Sequence, residues 1–324
     1  MTQNSIASNI GQPPAALLRE VSSQTSRTLA ADFLPFQEAL KTRFGASLDA
    51  IILYGSCLHS QDLKEGIVDF YVVVNDYRQA YRKRHLGLLN AWLAPNVFYL
   101  EIPGETFTLR AKYAVISMAN FEKGTRDWFH SYLWARFAQP VRVLYARDAT
   151  CHSQIERALA QSVLTFLKAT VPALGDSQVN AEEIWTQGLT LAYAAELRPE
   201  RSGRARQLTH LNMGDYIRLT ALAAPALGPQ FETLGHDVYQ CHFESMARRR
   251  ILRQWRLRRW QGRVLSVLRL SKATLTFAGC IDYAAWKIKR HTGVSVEITP
   301  HLRRHPLLWG LKVLWQLVRQ GVVR

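Results

Sequence analysis

Two short segments hold the residue types that phosphate chemistry requires. The first, Leu53-Tyr-Gly-Ser-Cys-Leu-His-Ser-Gln61, ends an apolar run on Gly55-Ser56. The second, Val68-Asp-Phe-Tyr-Val-Val-Val74, carries a single acid, Asp69, inside a β-branched and aromatic stretch. Glycine lets a backbone approach a polyphosphate, and a serine hydroxyl with neighbouring N–H groups cradles phosphate oxygens. A carboxylate on a strand then holds Mg²⁺ against an α-phosphate, where the ion neutralises developing charge and orients the departing pyrophosphate. Such a set suits nucleotidyl transfer. By themselves the residues leave two plainer roles open: Gly-Ser as a turn, and Asp69 as a structural hydrogen-bond acceptor.

Groups of this kind work only when rigid elements hold them. Ala50–Tyr54 and Ile67–Val74 are β-rich apolar runs stopped by Gly55-Ser56 and Asn75-Asp76, and both read as buried strands. Phe33–Phe44 has apolar residues at helical spacing, Tyr77–Leu93 and Asn120–Phe137 read as helices, and Val97–Ile102, Phe107–Ile116 and Pro140–Tyr145 as strands. From about residue 150 helix follows helix, with Arg198–Arg206 as a loop or disordered insert. The expected fold is therefore α+β. It comprises a flexible arm over 1–25 containing Pro13-Pro14, a domain of strands and helices over 26–150, a mainly helical basic domain over 151–300, and an amphipathic helix over 301–324.

The charge is uneven along the 324 residues: 16 Lys+Arg face 13 Asp+Glu before residue 150, and 25 face 12 after it. A basic second half implies an anionic partner, either nucleic acid or a phospholipid surface. Cys57, Cys151, Cys241 and Cys280 form no CxxC or CxxxC pair, so neither a disulfide framework nor a cysteine-based zinc site is suggested.

The motifs resemble the nucleotidyltransferase superfamily, in which Gly-Gly or Gly-Ser precedes a strand bearing two acids; here Tyr71 stands at the second acid position. A narrower resemblance is to the mitochondrial-type phosphatidate cytidylyltransferases, the peripheral CDP-diacylglycerol synthases. It rests on Tyr54–Gln61 with Val68-Asp-Phe70 and Asn75-Asp76, on Lys112-Tyr-Ala-Val-Ile-Ser117, on Trp128 with Tyr132-Leu-Trp-Ala-Arg136 and Pro140-Val141, and more weakly on Tyr193–Arg198. The family's strand reads Asp-Phe-x, which accounts for the missing second acid.

The resemblance implies a nucleotidyltransferase fold and Mg²⁺-dependent transfer from CTP to phosphatidate. Asp69 would be the metal ligand, Lys112 a phosphate-charge partner, and Tyr54, Gly55, Ser56, Gln61 and Arg136 would bind nucleotide or phosphate. Asp76 and Glu101 are further candidate metal ligands, each equally readable as a solvated surface acid. Lys112 also reads as a strand-edge residue, and Arg136 as a helix-surface partner of Asp127 or Glu122. The chain departs from the family at Cys57 (Gly), Tyr81 (His), Ala195-Glu196 (Gly-Asp) and Gln139 (Lys). Phosphatidate is a phosphomonoester with a second pKa of about 6, so it is already an anionic nucleophile near neutrality and no general base is required.

Two segments bear on the anionic partner. Arg248–Lys272 holds ten Lys+Arg and no acid, with Arg249, Arg253, Arg256, Arg259 and Arg263 on one helical face and Leu257, Trp260, Val264, Val267 and Leu268 on another. Pro306–Val323 is largely apolar, with Lys312, Gln316 and Arg319 on one narrow stripe. As a helix it would reach roughly 27 Å, short of the roughly 30 Å hydrocarbon core, and two central charges at about 2.5–3.5 kcal/mol each oppose a span. Lying in the interface, with Trp309 and Trp315 at headgroup depth and Lys312 and Arg319 near lipid phosphates, avoids that cost. His301 and His305 have metal-ligand spacing but read as part of the basic interface.

The N-terminal sequence lacks the basic and long apolar regions of a secretory signal. The expectation is a peripheral enzyme on the cytoplasmic face of a membrane. Rival readings are nucleotidyl transfer to RNA, and a catalytically inactive protein of the same fold that binds lipid or nucleotide.

Overall fold

The computed structural model describes residues 12–60, 66–104, 107–196, 203–276 and 298–300. Gln61, Trp309, Lys312, Trp315, Arg319, His301 and His305 lie outside them, as does the amphipathic helix over 301–324.

Five strands build the main sheet: β1 (Leu48–Tyr54), β2 (Val68–Val74), β3 (Asn96–Ile102), β4 (Leu109–Ser117) and β5 (Arg142–Ala146), in the order β3-β4-β2-β1-β5. β2 and β4 run parallel and the other neighbours antiparallel, so the sheet is mixed and open at two edges. From Phe70 to Val74 strand β2 is an unbroken apolar run because both of its faces are covered there. Phe70 and Val72 pack toward α2 (Leu34–Phe44), which contributes Phe36, Leu40 and Phe44. Tyr71 and Val73 pack toward α6 (Met118–Arg126), α7 (Trp134–Phe137) and α8 (Ala149–Leu174). The architecture is α+β, a mixed sheet flanked by helices.

Asp148 caps α8 by accepting from the Cys151 N–H at 2.8 Å. One cluster of buried side chains runs from Leu17 and Ile52 through Phe166 and Trp185 to Trp255. Trp185 of α9 (Ala181–Ala194) lies between Phe166 and Tyr216, with ring centroids 4.7 and 3.9 Å away.

Several elements differ from expectation. Within the expected arm, Ala15–Thr25 form helix α1, whose Leu17 and Val21 are buried against α8. Four residues separate these two apolar positions, too sparse a stripe to stand out from a polar stretch. The helix expected over Tyr77–Leu93 is two, α4 (Tyr77–Ala80) and α5 (Arg84–Trp92). The helix expected over Asn120–Phe137 breaks between α6 and α7, where Trp134 Nε1 donates to the Trp128 carbonyl at 2.9 Å. The second half contains an antiparallel sheet of β6 (Asp176–Val179), β7 (Phe231–Gly235) and β8 (Val238–His242), in the order β6-β8-β7. Strands of four or five residues leave almost no period to read. Residues 204–206, expected in a loop, open α10 (Arg204–Leu211).

Helix α12 (Ser245–Thr276) carries the basic run. It packs inward through Trp255, whose Nε1 donates to the Ala169 carbonyl at 2.8 Å, and through Arg258, which donates to the Phe129 carbonyl at 2.8 Å. At Gly262 the helix crosses the Ala195 turn so closely that a Cβ would stand 2.0 Å from the Ala195 carbonyl oxygen. Near its end Lys272 donates to the carbonyls of Leu93 and Pro95.

Burial, and then the charge of Arg269, push the Lys272 amine down to about 7. The unfolded lysine keeps its ordinary value of 10.5, so between about 7 and 10.5 the unfolded chain binds the extra proton and stability rises with pH. That gain is lost as pH falls back through 7. The difference in unfolding midpoint between about pH 9 and about pH 7 is expected to shrink in Lys272→Met, as read by thermal melts of both proteins.

Candidate active site

Strand pairing sets one rung of side chains across four strands. Tyr99 is opposite Lys112, Lys112 beside Asp69, and Asp69 opposite Tyr54. Paired residues share a face, so all four lie on the face that packs toward α6, α7 and α8. Lys112 Nζ is 2.8 Å from Asp69 Oδ1, and each side chain is 26% exposed. β4 is an interior strand, which removes the reading of Lys112 as a strand-edge residue.

At the end of β1 the backbone turns at Gly55, with φ of +88°, and a Cβ there would stand 3.2 Å from Asp69 Oδ2. Positive φ and close approach both select glycine. The Gly55-Ser56 turn thus lies directly against the Asp69 carboxylate. Cys57, a departure from the family pattern, is buried in the cluster on the opposite face of the sheet, and its thiol donates to the Ile67 carbonyl at 3.6 Å.

One rung inward, Tyr71 occupies the second acid position. Its ring is fully buried, and its hydroxyl accepts from Arg136 Nη1 at 3.1 Å. The Arg136 guanidinium lies 4.4 Å from the Tyr132 ring centre and 5.4 Å from that of Tyr54. Its ion partner is Glu196 at 3.5 Å, each side chain only 12% exposed. This corrects the expected pairing with Asp127 or Glu122, since Asp127 is held by Arg126 at 3.0 Å. Arg269 of α12 also stacks on Tyr132, 4.0 Å from its centre.

Burial by itself would raise the Tyr132 phenol. The charges of Arg136 and Arg269 more than offset this and bring it down to about 8. One tyrosine is therefore expected to ionise near 8 in a phenolate-absorbance titration. That step should vanish in Tyr132→Phe and move upward in Arg269→Met.

The structure brings together Tyr54, Gly55, Asp69 and Lys112, and sets Arg136 against Tyr54. Asp76 is elsewhere: it caps α4 beyond the far end of β2, accepting from the Arg78 N–H at 2.8 Å, and seven residues of extended chain separate it from Asp69 by roughly 20 Å. Its role is to start a helix. Glu101 lies on edge strand β3, accepting from the Tyr99 hydroxyl at 2.8 Å and from Arg110 at 3.4 Å. Neither of these two carboxylates joins Asp69.

Among the described residues no group of three or more His, Cys, Asp or Glu side chains could hold a metal ion. Asp69 Oδ1 is nevertheless buried and, among the described residues, has no hydrogen bond apart from its ion pair with Lys112. A lone carboxylate of this kind fits Mg²⁺ whose remaining ligands are nucleotide phosphates and water.

Glu196, Tyr132 and Arg269 were not singled out as site residues. Tyr132 falls inside a segment that matches the family pattern and Glu196 stands where the chain departs from it, while nothing in the sequence around Arg269 sets it apart from its nine basic neighbours.

No protein-family model and no curated protein matches the chain. Among solved structures, it is similar to a nucleotidyltransferase-like protein from Exiguobacterium sibiricum 255-15, with 11% identity, coverage of 90% of this chain and 92% of that one, and a TM-score of 0.25. A likeness that faint decides neither fold nor chemistry, which rest on this chain's own residues. No helix among the described residues is long and apolar enough to cross a membrane.

Proposed function

We propose that this protein is a nucleotidyltransferase that moves the cytidylyl group of CTP onto phosphatidate, releasing pyrophosphate and forming CDP-diacylglycerol at a membrane surface. The observation that carries the reading is the rung Tyr54–Asp69–Lys112 with the Gly55-Ser56 turn against its carboxylate. The acceptor and nucleotide are drawn from the ordered resemblance between Tyr54 and Val141.

A phosphatidate oxygen attacks the α-phosphorus of CTP, a new P–O bond forms, and the bond to the departing pyrophosphate breaks. The attacking oxygen is already anionic, so the protein's work is to hold two polyanions in line and screen them. Gly55 admits the phosphate chain close to β1, and the backbone and hydroxyl of Ser56 bind its oxygens. Lys112 supplies positive charge beside the reacting phosphates, and Arg136 supplies it one rung away, fixed by Tyr71 and Glu196. Asp69 would hold Mg²⁺, which when bound neutralises phosphate charge. Membrane contact is assigned to residues 306–324, through Trp309, Lys312, Trp315 and Arg319.

Full-length protein incubated with phosphatidate vesicles, Mg²⁺ and α-labelled CTP should release pyrophosphate and carry label into the organic phase. Label transferred to added RNA and not to lipid would favour the RNA reading, for which α12 would be the binding element. Tight CTP·Mg²⁺ binding without turnover would favour an inactive protein; that reading is supported by the burial of Tyr71 where a second acid would stand.

A further inference from the structure

The apolar residues that the sequence sets on one face of α12 are not the ones that pack. Trp255, Arg258, Gly262 and Lys272 are buried against the rest of the protein, whereas Trp260 is 70% exposed and Leu257 55%. Val264, Val267 and Leu268 are also left in solvent. At 100° per residue these five side chains form one outward stripe over the second half of the helix. The exposed Arg256, Arg259 and Arg263 flank its edge, and Arg253 continues the face toward the N-terminus. A contiguous apolar stripe rimmed by one sign of charge marks an interaction surface.

We infer that this outward face of α12 is a docking surface for an anionic phospholipid bilayer. Charge complementarity selects the occupant. No acid occurs between Arg248 and Lys272, so a second copy laid on this face would set arginine against arginine. Residues 301–324 contain no acid and carry Arg303, Arg304, Lys312, Arg319 and Arg324, so this segment would meet the same repulsion. RNA would satisfy the arginines and leave the aliphatic stripe wet. A bilayer takes both: the stripe enters the acyl boundary with Trp260 near headgroup depth, and the arginines meet lipid phosphates, each worth about 1 kcal/mol near such a surface. The interface therefore involves a helix whose inward side, through Arg269 and Lys272, touches the site and its neighbouring turn.

The inference deepens the membrane part of the proposed function, and its test uses neither CTP nor phosphatidate, so the two can fail separately. Full-length protein is sedimented with vesicles of phosphatidylcholine alone and of phosphatidylcholine with phosphatidylglycerol, with and without single-stranded RNA as competitor. Wild type should partition onto the anionic vesicles and only weakly onto the neutral ones. Trp260→Gln/Val264→Gln and Arg256→Glu/Arg259→Glu/Arg263→Glu change only exposed positions; each should lower anionic-vesicle affinity at least tenfold with an unchanged melting curve. Unchanged binding in the Trp260→Gln/Val264→Gln protein would overturn the inference, as would binding lost in the arginine variant alone. Wild type that is displaced from vesicles by RNA, or binds RNA and no vesicles, would also overturn it.

Discussion

Asp69→Asn is expected to lower cytidylyl transfer to phosphatidate by roughly 10³-fold, about 4 kcal/mol of transition-state stabilisation, while the melting temperature stays nearly unchanged. The two halves of that expectation come from different features. Asparagine has the size and shape of aspartate, so β2 keeps its packing between Lys112 and Tyr54. The lost ion pair joins two partly exposed side chains, and Lys112 keeps access to water once its partner is neutral, so the loss is about 1 kcal/mol. A carboxamide, however, has no charge to hold a cation among phosphates, and among the described residues no group of three or more His, Cys, Asp or Glu side chains is present to take its place. Initial rates of label transfer at saturating CTP, set beside melting curves, test both halves. Transfer within a few-fold of wild type in a folded Asp69→Asn protein would remove Asp69 from the chemistry. A parallel loss in Lys112→Met would place the reacting phosphates on the same rung.

Gly262→Val is expected to destabilise the protein by about 3 kcal/mol, a fall of roughly 5–10 °C in unfolding midpoint. A Cβ at this position would collide at 2.0 Å with the Ala195 carbonyl oxygen and come within 3.1 Å of the carbonyl carbon. Both are main-chain atoms, so no rotamer change relieves the contact, and α12 must lift from the turn. The next residue in that turn is Glu196, the ion partner of Arg136. Farther along α12, Arg269 stacks on Tyr132 and Lys272 donates to the turn before β3. Lifting the helix should therefore also return the Tyr132 ionisation toward the ordinary tyrosine range. Melting curves and the phenolate titration read the two effects, and Gly262→Ala should show smaller changes of the same sign. An unchanged midpoint in Gly262→Val would mean that α12 does not cross at Ala195.

β1 and β2, which carry Tyr54 and Asp69, were legible because each is a largely apolar run ended by a turn residue. The sequence marks Gly55 as the place where a polyphosphate approaches the backbone, and the group the structure sets against it is the Asp69 carboxylate. Asp76 misled because an acid after a strand serves equally as a helix cap. Glu101 misled because its strand lies at the sheet edge, where a solvated carboxylate is ordinary.

What the sequence by itself determined is local in origin. Apolar runs and turn residues set β1, β2 and their Gly-Ser stop, and the three- and four-residue spacing from Arg248 to Lys272 set a long basic amphipathic helix. Which side of that helix faces inward was decided only by tertiary structure. The side chosen has a tryptophan that finds a carbonyl, an arginine that stacks on Phe129, and a glycine that lets two backbones touch. Those matches depend on shape and hydrogen-bond partners more than 60 residues away in the chain, which periodicity does not encode. The same holds for Arg136, whose partner Glu196 arrives from another helix's end. Burying a guanidinium requires a particular carboxylate and particular rings around it, and only the packed chain brings them together.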